Sequence, residues 1–494
     1  MNKFHPQKNV FIYIFLATLI AFPFLSFSQE LPKVFIENKK LQDQLRAKLQ
    51  ANLTSQLATI PSNYKGKIRK QIIEKHKQRT ESIIKRVDKG HFIYGTSLNT
   101  YINKIAQEII KANPQIPQNK INMVVSRYVT PNAACFGEGT LMINVGLINR
   151  ARSEAELAFV IAHEIAHYTL NHVNENIEKG VQLLNDPSFK DKIKKISNEE
   201  YEVNRKLTEF LKEIMYDKSR YTRQQESQAD SLGFSYLANT AYATSGAISC
   251  LQMLDSADFE KYKSAIAYEE RFHSEEFPFK KSWLEEEENP FEIGDKVTFG
   301  IIADSLKTHP DCQDRIKALS TDRARLSMNS KNHFLQDQNT FIKITKAAEL
   351  EALYADFYFK RYGRSLYNAL QLLAHDSSVS KSFVHGIIGA SLIKIYEAQK
   401  NHELGKYLPM PSEETQSESY KQLIVFIRNL RNKELISLAF YYLDKKPAIY
   451  LDNDFFLYAI TMASKYSERR REYYAYSGLY RKSFPKGLFI SHIN

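Results

Sequence analysis

The chain has 494 residues, 43% of them hydrophobic and 12% aromatic, enough to bury a large core across two or three domains. Its formal charge is +12. The basic residues are not interleaved with aromatics and carry no nucleic-acid motif, so nucleic acid is excluded as a partner and an anionic membrane or partner surface is left as a weak association. Three cysteines, Cys135, Cys250 and Cys312, are too few for a disulfide framework; one pair can form outside the cytoplasm, and the sequence does not choose it.

The first segment reads as an export signal. Lys3 and Lys8 make a positive start, Val10 to Leu25 is an apolar run broken by Pro23, and Ser26-Phe27-Ser28 places small residues where a signal peptidase cuts. Residues 1–28 are therefore expected to be a signal peptide, sending the chain to the periplasm or another extracytoplasmic space. An uncleaved N-terminal anchor is the alternative, because the run is close to spanning length. No cysteine follows it, which argues against a lipoprotein, and no other run is long enough to span a bilayer.

Residues 29–90 are charged and helix-prone, interrupted near Pro61-Ser62-Asn63, with a solvated basic helix in Lys65 to Lys89. Leu98, Ile102, Ile105 and Ile109 have helical spacing that ends at Asn113-Pro114, and Ile121 to Val125 and Leu141 to Val145 are strand candidates. Ser153-Glu154-Ala155-Glu156 reads as a capping box that starts a helix. That helix is apolar on most sides (Leu157, Phe159, Val160, Ile161, Ile165 and Leu170), so it is expected to be buried.

The same helix holds His163-Glu164-Ile165-Ala166-His167. Residues four apart share a helix face, so His163 and His167 can present nitrogens to one metal ion, with Glu164 beside them to take a proton from the attacking water. A metzincin would need a glycine three and a histidine six residues after His167, where this chain has Leu170 and Val173. His172 is one position off and reads as a residue behind the site or on the surface. After a polar helical insertion from Gly180 to Lys218, Glu226-Ser227-Gln228-Ala229-Asp230 repeats the spacing with two carboxylates. Glu226 would complete a set of two histidines and one glutamate with an open fourth position, as in catalytic zinc sites. Asp230 would accept from the far nitrogen of a ligand histidine.

With Thr308-His309-Pro310, Arg315, and the stretch from Pro131-Asn132-Ala133 through Thr140 to Leu147, these segments resemble the M48 family of gluzincin metallopeptidases, in particular its exported bacterial quality-control members. The resemblance spans about Phe92 to Leu319. Its one departure is Cys135-Phe136-Gly137-Glu138-Gly139, where family members often carry an apolar-proline-glycine-glycine turn. It implies one zinc ion per chain on His163, His167 and Glu226, catalysis by Glu164, and a supporting role for Arg315. His309 would donate to the oxyanion; a latch on the zinc and a simple helix cap are the other roles open to it. The strand from Leu141 to Val145 is expected to pair with an extended substrate, reading backbone more than side chains.

Glu285-Glu286-Glu287-Glu288-Asn289-Pro290 marks a solvated acidic loop. Beyond it, Leu350 to Leu373, Phe383 to Gln399, Tyr420 to Tyr442 and Phe455 to Tyr480 are tyrosine-rich helical segments, similar to tetratricopeptide pairs but without a 34-residue period. The fold expected is mainly α with a small β-sheet: a charged helical region over residues 29–90, a zincin-like catalytic domain over 91–329, and an all-helical domain for interaction or substrate recruitment over 330–494. The function expected is zinc-dependent cleavage of misfolded or unassembled envelope proteins. The competing reading is a latent chaperone or adaptor that grips client proteins through its C-terminal helices.

Overall fold

The computed structural model describes residues 39–117, 119–199, 202–256, 260–262, 264–285, 312–321, 332–376, 380–408 and 418–493; for 211 and 213–219 only the backbone is described. The expected signal peptide, His309 and most of the acidic loop lie outside these residues. The fold is mainly helical around one small sheet. Among the described residues no helix is long and apolar enough to cross a membrane.

Two helices, α1 (Lys39–Ala58) and α2 (Gly66–Asp88), precede the sheet. The buried positions of α2, Ile72, His76, Thr80, Ile83 and Val87, recur every three or four residues, so the lysine-rich helix has a packed face as well as a wet one. Ile83 and Val87 join Leu45 and Leu49 of α1 against Phe92, Val124 and Met142, which places the helix pair over one face of the sheet.

The sheet comprises β1 (Phe92–Ile93), β2 (Asn122–Ser126), β3 (Ala133–Cys135) and β4 (Thr140–Asn144), in the order β1-β2-β4-β3. β4 runs parallel to β2, with Met123 opposite Leu141, and antiparallel to β3, with Ala134 opposite Met142. This corrects the expected place of substrate pairing. β4 has a strand on both sides, so its backbone groups are already taken; among the described residues the sheet's edges are β1 and β3, and β3 is the one beside β4. All five residues of β4 are buried, as a central strand requires. The chain then enters a short helix, α4 (Val145–Arg150), at Val145, where a strand was expected to continue.

The other face of the sheet packs on α3 (Ser97–Ala112), α5 (Glu154–Thr169) and the end of α8 (Val203–Ala238), with α6 (His172–Asn185) and α7 (Pro187–Ser197) between the last two in sequence. α9 (Ser245–Asp255) and α11 (Cys312–Ser320) close this core; α10 (Tyr268–Phe272) instead joins a second one. All three cysteines are unbridged thiols.

The second core is built by α12 (Gln338–Tyr358), α13 (Tyr362–His375), α14 (Lys381–Lys400), α15 (Leu404–Tyr407), α16 (Glu418–Arg428), α17 (Asn432–Asp444), α18 (Asp454–Tyr466), α19 (Arg470–Ser483) and α20 (Ile490–Ile493). α14 lies at its centre, against α13, α17 and α18. α12 belongs to both cores: Phe341, Ile344 and Ala348 pack with the sheet-bearing core, and Leu350, Leu353, Tyr354 and Phe357 with the helical one. The segment with Ile266, Tyr268, Phe272, Phe279 and Trp283 also packs into the helical core. Leu350 to Leu373, Tyr420 to Tyr442 and Phe455 to Tyr480, each expected as one helical stretch, are each two helices. The first and last are broken beside Lys360 (φ 61°) and Glu468 (φ 60°), left-handed residues that no α-helix accommodates.

Candidate metal centre

α5 begins as its sequence implies. The Ser153 hydroxyl accepts from the Glu156 N–H at 3.3 Å, but Glu156 does not close a reciprocal box. Its carboxylate reaches one residue further back and accepts from the Arg152 backbone N–H at 2.7 Å. Glu154, fully buried, accepts from the Leu335 and Gln336 N–H groups at 2.6 and 3.0 Å, pinning the start of α5 to the chain ahead of α12. Residues 154 to 166 are all buried, so the motif helix is rigidly seated.

α8 crosses α5 at Gly233. A Cβ there would stand 2.9 Å from both Cα and N of His163, a contact real side chains do not make, so only glycine permits this approach. The consequence is that α8 delivers its carboxylates onto the histidines. His163 Nε2 lies 3.5 Å from Glu226 Oε2, His167 Nε2 lies 3.3 Å from Glu226 Oε1, and the two Nε2 atoms are 3.1 Å apart. Zinc bonds of about 2.0–2.1 Å at tetrahedral angles put ligand atoms about 3.3–3.4 Å from one another. Each of these separations is close to that between two ligands of a zinc tetrahedron, with Glu226 meeting the two histidines through different oxygens, and the donor types suit the ion.

Charge supports the same fit. Burial alone would lower the pKa of His163, but the carboxylates of Asp230 and Glu226 outweigh it and raise the value to about 10. The pocket therefore favours a cation between its acids. Asp230 Oδ1 is 2.9 Å from His163 Nδ1, close but poorly aligned for a hydrogen bond. The same carboxylate accepts twice from Arg315 of α11, and Arg315 Nη1 also stands 3.7 Å from Glu226. Glu164 is buried on the side of α5 that meets β3. Burial first, and then the Glu164 charge, push the Cys135 thiol well above its ordinary pKa, which puts the carboxylate close to the outer strand.

Of the residues singled out from sequence, His163, Glu164, His167, Glu226, Asp230 and Arg315 converge here, while His309 lies outside the described residues. Residues 96–323 match the family model described as Peptidase family M48. That match to peptidase family M48 takes in a little under half of the chain. Shorter stretches are similar to named M48 relatives: 36% identical over 83 residues to a putative beta-barrel assembly-enhancing protease of Vibrio cholerae, covering 17% of each chain, and 42% identical over 50 residues to the mitochondrial metalloendopeptidase OMA1 of Arabidopsis thaliana, covering 10% of each. The matches thus span less than a fifth of either relative.

Within the M48 segment, His172 was legible only as a residue behind the site or on the surface. It is buried, and its Nδ1 lies 2.9 Å from Nδ1 of His167. Asn171, left-handed at φ 61°, turns the chain at the end of α5 so that α6 starts at His172 and faces back. The loop that departs from the family pattern joins β3 to β4. Gln56 and Asn174 donate to its Gly137 carbonyl, each at 3.2 Å.

Proposed function

We propose that this chain is a zinc-dependent endopeptidase with one ion per chain on His163, His167 and Glu226. The observation that carries this reading is the convergence of those three side chains at separations near those of zinc ligands, with Glu164 buried between them and the edge strand β3. Held by His163, His167 and Glu226, a zinc ion would supply Lewis acidity: it would lower the pKa of a water molecule from about 15.7 to about 7 and would polarise a carbonyl oxygen. Glu164 accepts the proton of the attacking water and passes it to the leaving amine. Asp230 orients His163, and Arg315 fixes Asp230 while balancing its charge. His309, three residues before the start of α11, donates to the oxyanion.

The substrate in this reading is an extended polypeptide that adds a strand outside β3, using main-chain hydrogen bonds and therefore tolerating many side chains. Misfolded or unassembled envelope proteins fit that broad preference. Support comes from the signal-like residues 1–28 and from the name of the Vibrio cholerae relative. The region 29–90, the catalytic domain 91–329 and the helical domain 330–494 are the working division, the last serving to recruit clients. Metal analysis of the purified chain together with casein degradation tests the function. Near-stoichiometric zinc with casein cleavage supports it; zinc without turnover favours the latent chaperone or adaptor.

A further inference from the structure

We infer that His172 is a positioning residue that sets the tautomer of His167 through a side-chain relay ending on Gln228. This rests on the zinc reading above and adds to it how the second histidine is held. His167 Nε2 faces the donor cluster, and a nitrogen that binds a metal must present a lone pair, so the ring proton of His167 has to sit on Nδ1. That nitrogen lies 2.9 Å from His172 Nδ1, which must then be the acceptor. The proton of His172 is consequently on Nε2, which lies 3.2 Å from Gln228 Oε1, an atom that only accepts.

The three assignments agree in one direction only. If His172 donated from Nδ1 instead, His167 would carry its proton on Nε2, where it could not bind the ion, and His172 Nε2 would point a lone pair at a carbonyl oxygen. His172 is not itself a fourth donor, because its ring nitrogen meets the far side of His167 and not the cluster. The two histidines are thus held by different chemistry. His163 leans on the charged Asp230–Arg315 pair, whereas His167 leans on a neutral imidazole and a neutral amide. Gln228 stands at the exposed face of α8, where water can replace its oxygen. His172 is buried, and nothing replaces it.

The test uses the purified full chain with His172→Leu and His172→Asn, measuring zinc affinity by competition with a chromophoric chelator. Leucine fills the space without an acceptor, and the relay predicts roughly 10- to 100-fold weaker zinc binding, the range found when an orienting partner of a ligand is lost. Asparagine puts Oδ1 near the position of Nδ1 and should restore most of the affinity. Nitrogen-15 spectra of the histidine-labelled, zinc-loaded wild-type chain give an independent readout, with a protonated Nδ1 expected on His167 and a protonated Nε2 on His172. Wild-type affinity in His172→Leu, or a protonated Nδ1 on His172, overturns the relay while leaving the zinc site standing. A wild-type chain that binds no zinc overturns the site and the relay together.

Discussion

Arg315 grips Asp230 with two parallel contacts, Nε to Oδ2 at 2.7 Å and Nη2 to Oδ1 at 2.6 Å, and both side chains are almost entirely buried. Such a fork fixes the carboxylate in orientation as well as in charge. Removing one partner leaves the other buried and uncompensated, at a cost of roughly 3–5 kcal/mol. Arg315→Met should therefore lower the urea unfolding midpoint strongly and weaken zinc binding, while Arg315→Lys, which keeps the charge but not the fork, should do less of both. Asp230→Ala should weaken zinc by roughly 10- to 100-fold, and Glu226→Ala much further. Equal zinc retention in the two acid variants would contradict the roles given to them.

The outer position of β3 makes a prediction about substrates. If recognition runs through backbone pairing beside Ala133–Cys135, methylating single amide nitrogens of a cleavable peptide should slow cleavage by about tenfold or more at alternate positions, since each removes one donor of the ladder and adds bulk at the strand edge. Alanine replacements in the same peptide should matter less. A peptide scan by mass spectrometry separates the two, and a profile dominated by side chains would contradict strand addition.

The helical core carries a pH signature of its own. Burial, reinforced by Lys446, Arg271 and Lys381, pulls the His385 pKa down to about 3, with Tyr442 as its hydrogen-bond partner. Because the folded value lies below the unfolded value of about 6.5, the unfolded chain binds the extra proton between them. The contribution is fully present above pH 6.5 and is lost as pH falls toward 3, roughly 3 kcal/mol of it by pH 4. His76, lowered to about 4 by burial and Arg79, acts with the same sign. Urea unfolding between pH 7 and 4 should show a shallower loss of stability in His385→Gln than in the wild-type chain; parallel slopes would contradict the assignment.

How much of this was legible in the sequence differs by element. α5 was clear, because Ser153 marks its start and an apolar surface on most sides demands burial. The Glu226 and Asp230 spacing was clear for the same geometric reason as the two histidines. The outer strand was not, since strand order is set by pairing between distant segments. Even so, the unbroken apolar run in Leu141 to Ile143 already fitted an interior strand better than an edge. The paired helices of the C-terminal region were obscured because Lys360 and Glu468 turn the chain without glycine or proline to mark the turn. The direction of His172 depended on Asn171 adopting a left-handed conformation that the sequence permits but does not demand.

The central claim is that His163 and His167 bind zinc while Glu164, between them in sequence, moves the proton. Zinc content and casein cleavage measured on Glu164→Gln and His167→Ala test it most directly. The account predicts close to one zinc per chain and no detectable proteolysis in Glu164→Gln, and loss of both in His167→Ala. Loss of zinc from Glu164→Gln, or proteolysis that survives in it, would contradict the account.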